Sequence, residues 1–250
     1  MEDPAREVEL AWLAGPILEP HPQRLRRPER EPGDPRRLRV RIEPQARQSV
    51  EHRAEPRDDV ITKLVTGTVD GVGLTDDEVI SFLRLLLPAG AETTSRLMGS
   101  MFFALLAERG EPLERVRADR ALVPWAVEET LRWETPVLFV ARQATRPAEV
   151  AGVPIPEGKV VSAVIASANR DETHYADPDR FDLDRRADDH LSFGFGRHFC
   201  LGYHLAKMEA RTALNAVLDR LPELRLDPDA EPPRITGLAF RSPQALRVRW

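Results

Sequence analysis

The sequence predicts a mainly α protein with a smaller β region, an α+β chain, and three observations predict it. A capping-box signal, Thr75 followed three residues on by Glu78, opens a run of helical composition that reaches Arg109 before Gly110 interrupts it. Two runs of strand composition, PVLFVARQAT (136–145) and GKVVSAVIAS (158–167), follow, with turn residues between them. A second long helical run, LGYHLAKMEARTALNAVLDRL (201–221), begins directly after the only cysteine of the chain.

Composition narrows the class. With 36 basic and 41 acidic residues the 250-residue chain carries a net charge of −5, which gives no basic footprint for nucleic acid. One cysteine excludes an intramolecular disulfide framework and any multi-cysteine zinc or iron–sulfur site. The absence of disulfides fits a cytoplasmic protein. The acidic start MEDPAREVEL lacks the apolar region of a secretory signal. The apolar passages FLRLLLPAGA and MFFALLA are too short to cross a bilayer, and Arg84 interrupts the first, so no membrane association is expected.

Residues 1–45 differ from the rest. Eight arginines between positions 21 and 41, interleaved with prolines, leave almost no apolar periodicity. Such a segment buries too little surface to repay its ordering, so a poorly ordered leader is expected there rather than a basic binding arm. Residues 46–250 read as one domain.

Within that domain, DDVITKLVTG (58–67) is a short amphipathic helix opened by aspartates and closed at Gly67. The helix after Thr75 spans about 34 residues, roughly 50 Å at 1.5 Å per residue, and a helix of that length is central to a domain. PWAVEETLRW (124–133) is a further helix with proline near its start. AGVPIPEG (151–158) reads as the turn between the two strands, and 169–190 as loops rich in Asp, Pro and Arg. ALRVRW (245–250) alternates apolar and charged residues, as an edge or hairpin strand would.

The cysteine lies in FGFGRHFCLG (193–202). Cys200 immediately precedes a helix whose first free N–H groups point back toward the sulfur, and Arg197 and His198 add positive charge, a setting that suits a thiolate. Gly194, Gly196 and Gly202 permit tight turns and leave room for something flat and bulky against the backbone. A thiolate so placed can be a nucleophile, a redox sensor or a metal ligand. The first needs a base, for which His198 or His204 is available, but no oxyanion-hole motif or acid partner stands out. The second usually needs a resolving cysteine, which this chain lacks. An axial ligand to haem iron needs one thiolate and nothing more.

The pattern F-x-x-G-x-H-x-C-x-G, carried by Phe193, Gly196, His198, Cys200 and Gly202, resembles the haem-binding loop of the cytochromes P-450. Two further stretches fall in that family's order. LLLPAGAETTS (85–95) is a poor helix interior, because Pro88 removes a donor, Gly90 loosens the turn, and Thr93 and Thr94 are β-branched. Its AGAETT resembles the acid–threonine motif of the family's central helix, which implies that Glu92 relays protons and Thr93 stabilises dioxygen at the iron. EETLR places Glu129 and Arg132 at i and i+3 on one face and precedes PDRF (Pro178–Phe181), as the family's E-x-x-R precedes its P-E-R-F. Asp179 stands where the family often has glutamate. The resemblance makes Glu129, Arg132 and Arg180 a structural network on the proximal side of the haem.

By the same resemblance Cys200 is the metal ligand, Arg142 and His198 bind the haem propionates, and Phe193, Gly194, Gly196 and Gly202 complete the cofactor loop. Two carboxylates entering an apolar pocket need such partners. Leu85, Leu86, Val137, Leu138, Leu238 and Phe240 fall in segments that line the family's substrate pocket. The resemblance covers about residues 46–250 and corresponds to the C-terminal half of the family's domain, so the expected fold is the cytochrome P-450 fold, incomplete at its N-terminus. It implies a haem-dependent monooxygenase of the bacterial soluble type, with haem b on an axial thiolate and dioxygen as co-substrate. One oxygen atom would enter a small organic substrate. Electrons would come from a ferredoxin or flavin-type donor docking near Arg197, Lys207 and Arg211. The alternative expectation is a truncated, catalytically inactive remnant with weak or no haem binding.

Overall fold

The computed structural model describes the backbone of residues 8–11 together with residues 51–107 and 110–250. The chain divides into two compact units, Gly15–Ala89 and Met1–Ala14 with Gly90–Trp250. Apart from strand β1 (Val8–Ala11), the stretch read as a poorly ordered leader lies outside the described residues.

In the first unit, helix α1 (Val60–Thr66) starts where Asp59 accepts a 2.8 Å hydrogen bond from Thr62 N–H. It ends at Gly67 for a reason of space: a Cβ there would meet the Lys63 carbonyl oxygen at 2.6 Å. A short hairpin, β2 (Thr68–Val69) and β3 (Val72–Gly73), leads to Thr75. The capping box forms as read, with Thr75 N–H donating to Glu78 at 2.8 Å and Glu78 N–H to Thr75 Oγ1 at 3.3 Å. Val65, Val79 and Leu83 make this unit's small core.

Helix α2 (Asp76–Leu106) ends three residues before the expected Arg109, which lies outside the described residues, and keeps Pro88 within its length. Its second half belongs to the larger unit and is buried through Leu97, Met101, Phe102, Leu105 and Leu106. Helix α3 (Glu111–Ala118), unforeseen in the sequence, begins at Gly110, whose φ of 84° requires glycine. A 3₁₀ turn (Arg120–Leu122) then runs into α4 (Val123–Trp133).

Strands β4 (Phe139–Gln143) and β7 (Val160–Val164) pair antiparallel, Phe139 opposite Val164 and Gln143 opposite Val160. The segment expected to be only a turn between them contains a second hairpin, β5 (Ala148–Val150) with β6 (Val153–Ile155). The turn signal was sound at Ala151 and Gly152, which take φ of 49° and 78°. Pro154 hid the strand beside them, because proline is tolerated in a two-stranded ribbon whose other edge is open. A single turn, α5 (Ile165–Ala168), follows, and 169–190 has neither helix nor strand, as expected.

Helix α6 (Tyr203–Arg220) packs Ala210, Leu214 and Leu218 into the same core as α2, α3 and α4. Beyond it come β8 (Arg225–Leu226), the hairpin β9 (Ile235–Thr236) and β10 (Ser242–Pro243), and β11 (Ala245–Arg249). The expectation of an edge strand at the C-terminus is corrected: β11 is the middle of a three-stranded antiparallel sheet, β1–β11–β8. Leu246 and Val248 are buried in the core, and Arg247 and Arg249, alternating with them, occupy the other face.

Candidate functional site

The cysteine loop is closed by its own backbone. Cys200 N–H donates to the Phe193 carbonyl at 2.9 Å, and inside that closure Gly194 N–H bonds Leu191 at 2.8 Å and Phe199 N–H bonds Gly196 at 3.0 Å. Gly194 and Gly196 take φ of 74° and 72°, so both need glycine for conformation. Gly202 does not: at φ −82° any residue fits the backbone. A Cβ there would stand 3.9 Å from Cys200 Sγ, an ordinary contact, so space does not require glycine either. Gly202 lies in the turn that leads into α6, as expected, but that turn does not require glycine.

Cys200 is exposed at the start of α6. Beside it in the chain, Phe195 is 89% and Leu201 81% exposed, and Phe199 is also open. Phe193 lies beneath them, its ring edge-on to Tyr203 at 4.9 Å and tilted against Phe199 at 6.4 Å and His190 at 5.9 Å. His198 is exposed on the 3₁₀ turn Gly196–His198. Arg142 is exposed on β4, and its guanidinium donates to the Ala141 carbonyl at 2.9 Å. One open thiol, apolar side chains facing water around it, a glycine with free space at its Cα and exposed N–H donors suit a flat apolar group bearing carboxylates. No cluster of three or more His, Cys, Asp or Glu able to hold a metal ion is present among the described residues.

The acid of the central helix is not free. Arg96, one turn on, donates to Glu92 Oε1 from Nε at 3.0 Å and from Nη2 at 2.6 Å. The same guanidinium reaches Ser242 Oγ at 3.2 Å and lies 6.0 Å from the Phe240 ring centroid. Thr93 is half-buried, and Thr94 beside it is buried. No hydrogen bond or ion pair joins Glu92 to the cysteine loop among the described residues. Of the residues expected to line a pocket, Leu238 and Phe240 are exposed. Val137 pairs with Phe240 in an isolated bridge, and Leu138 N–H donates to the Ala239 carbonyl at 2.9 Å. Leu85, exposed, and Leu86 belong to the other unit.

Glu129 and Arg132 form a buried ion pair, with side chains 1% and 0% exposed and contacts of 2.8 Å. Arg132 also donates to the carbonyls of Asn169, Pro178 and Arg180 at 2.8–3.0 Å. The third side chain of the network is not that of Arg180, which contributes only its backbone carbonyl. Arg185 takes the place, with Nε at 3.2 Å from Glu129 Oε1. PDRF had drawn attention to the wrong arginine, five residues early.

Lys207, expected on an open docking face, is 8% exposed. Its ammonium bonds Glu128 Oε1 at 2.7 Å and Tyr203 OH at 2.8 Å. Glu128 also faces His190 Nε2 at 3.3 Å and Arg211 Nη2 at 3.4 Å. Burial raises the Glu128 carboxyl, but hydrogen bonds from His190 and Lys207 outweigh it and leave the group below its ordinary value. Neither Glu128 nor His190 was singled out in the sequence. The available signal was an acid one residue before Glu129 on a helix with few exposed positions.

The profile of the family described as "Cytochrome P450" matches residues 8–246. Cyclomarin C epoxidase CymV of Salinispora arenicola is 40% identical over 198 residues, covering 76% of this chain and 50% of its own. Erythromycin C-12 hydroxylase of Saccharopolyspora erythraea is 43% identical over 183 residues, covering 72% and 46%. Among solved structures, that of CYP109E1 from Bacillus megaterium in complex with testosterone aligns with a TM-score of 0.77 at 34% identity, covering 83% of this chain and 57% of that one. The chain thus spans about half the length of the curated relatives it matches. Members of the family use haem b with a cysteine thiolate ligand and dioxygen. With a family profile that matches residues 8–246 and relatives about 40% identical over most of its length, this chain belongs to the cytochrome P450 family.

Proposed function

We propose that the chain holds haem b through Cys200 and serves a monooxygenase that places one atom of dioxygen into a small organic substrate, with electrons from a ferredoxin or flavin-type donor. The observation that carries the reading is the exposed Cys200 thiol, fixed by the 2.9 Å bond to Phe193 and set among apolar side chains that face water. Haem, when bound, supplies the dioxygen and electron-transfer chemistry. Cys200 holds the cofactor, on the loop whose turns Gly194 and Gly196 make. Arg142 and His198 offer N–H donors to the propionates. Glu92 holds a proton-exchanging carboxylate at a position fixed by Arg96, and the Thr93 hydroxyl next to it passes protons onward.

No helix among the described residues is long and apolar enough to cross a membrane, and we place the chain in the cytoplasm. A substrate on the scale of erythromycin or testosterone fits the names borne by the relatives. The burial of Lys207 moves the donor's contact toward Arg197 and Arg211. A second reading, a remnant that holds haem weakly or not at all, is favoured by one observation: the chain spans about half the length of the curated relatives it matches.

The carbon monoxide difference spectrum of the dithionite-reduced protein after haem supplementation decides between them. A strongly red-shifted Soret band supports thiolate ligation. A band at the neutral-ligand position, or no uptake, supports the remnant.

A further inference from the structure

The loop that carries Cys200 has two arms, and a single buried carboxylate touches both. The chain entering the loop passes His190, whose Nδ1 accepts from Ser192 N–H at 3.3 Å. That leaves the ring proton on Nε2, 3.3 Å from Glu128 Oε2, so His190 donates to Glu128. The helix leaving the loop carries Lys207, whose ammonium is 2.7 Å from Glu128 Oε1. Lys207 Nζ also lies 4.1 Å from the Tyr203 ring centroid and 5.7 Å from that of Phe193. A desolvated ammonium over two aromatic faces attracts both rings.

Those rings are the loop's own floor. Phe193 and Tyr203 meet edge-on at 4.9 Å, and the Phe193 carbonyl is the acceptor that closes the loop at Cys200. The entering arm has a second anchor, because Asn169 bonds Leu191 N–H and Ser192 Oγ at 2.8 Å each. The leaving arm reaches α4 through Lys207, and through Arg211 at 3.4 Å.

We propose that Glu128 is the positioning residue of the cysteine loop: from α4 it fastens the entering chain through His190 and the leaving helix through Lys207, and so holds the Phe193–Tyr203 floor on which Cys200 stands. Without the carboxylate, Lys207 loses its counter-charge and withdraws from the two rings, and the loop opens at the Phe193–Cys200 bond. The loop geometry is independent of the haem reading, and only the spectroscopic arm of the test rests on that reading.

The test compares wild type, Glu128→Gln, Glu128→Asp and the core control Leu113→Ala by amide hydrogen exchange across 193–203, under conditions where all four are folded. Glu128→Gln is expected to speed exchange at the Cys200 amide by about ten-fold or more, the scale of one lost charge-assisted hydrogen bond in a local opening. Glu128→Asp should restore part of the protection. An unchanged Cys200 amide in Glu128→Gln overturns the proposal, and so does an equal acceleration in Leu113→Ala, which would mark a global effect.

After haem supplementation, Glu128→Gln should also shift part of the reduced carbon monoxide complex from the thiolate position to the neutral-ligand position. A fully thiolate spectrum in that variant counts against the proposal. Failure of wild type to take up haem counts against the haem reading alone and leaves the exchange result to decide.

Discussion

Glu92 and Arg96 stand one helical turn apart and are joined by two hydrogen bonds of 3.0 and 2.6 Å, while the same guanidinium bonds Ser242. Glu92, which we propose exchanges protons, is thereby tied to the hairpin that carries Phe240. In a haem-loaded protein with its electron donor, Glu92→Gln should lower kcat by about a hundred-fold, the lower end of what a positioned acid–base group contributes. Haem content should not change. Arg96→Gln should give a smaller loss of kcat together with a raised KM, because Phe240 loses its guanidinium neighbour. Steady-state kinetics on both variants checks this.

Thr93→Ala should leave the Soret spectrum intact and divert reducing equivalents into peroxide. The ratio of product to consumed electron donor is the measurement. Unchanged coupling would remove Thr93 from the relay.

Cys200→Ser should abolish the red-shifted carbon monoxide band. It should not weaken the fold, because the side chain is exposed and contributes nothing to the core. Haem-free thermal unfolding should match wild type within about 0.5 kcal/mol, as for a surface substitution.

Glu129→Gln leaves Arg132 and Arg185 without their anion in a site closed to water. Removing one partner of a buried pair costs about 3–5 kcal/mol. Denaturant unfolding should show that loss, far above what an exposed Glu–Arg pair at i,i+3 would give.

The carboxyl of Glu128, depressed by its partners against the pull of burial, contributes stability that is fully present above the ordinary carboxyl value of 4.5. That contribution is lost as pH falls through the depressed folded value. The stability gap between wild type and Glu128→Gln should therefore be flat near neutrality and shrink as pH falls below 4.5. Unfolding midpoints measured as a function of pH check the sign.

How much could be read in advance follows the physics of each signal. Asp59 and the Thr75–Glu78 box act locally, through caps, so their helices start where the residues placed them; Gly110, read as a helix stop, instead opens α3. The cysteine loop was legible for the same reason, since Gly194, Gly196 and Cys200 lie within seven residues. What escaped was long-range. Arg185 reaches Glu129 across 56 positions, and no local pattern ranks it above Arg180. Lys207 reads as a solvated lysine until Glu128, 79 positions earlier, is seen against it. β11 looked like an edge because its partners, β1 and β8, are short and distant in sequence.

The carbonyls of residues 169, 178 and 180 all end on the guanidinium of Arg132. Those carbonyls lie in a segment with no ladder of its own, so the arginine does for it what a neighbouring strand does elsewhere. The order of assembly follows. Residues 169–180 gain these partners only once α4 is docked, which makes the segment a late arrival in folding and an early departure in unfolding. Substitutions there should change the unfolding rate and leave the folding rate nearly untouched.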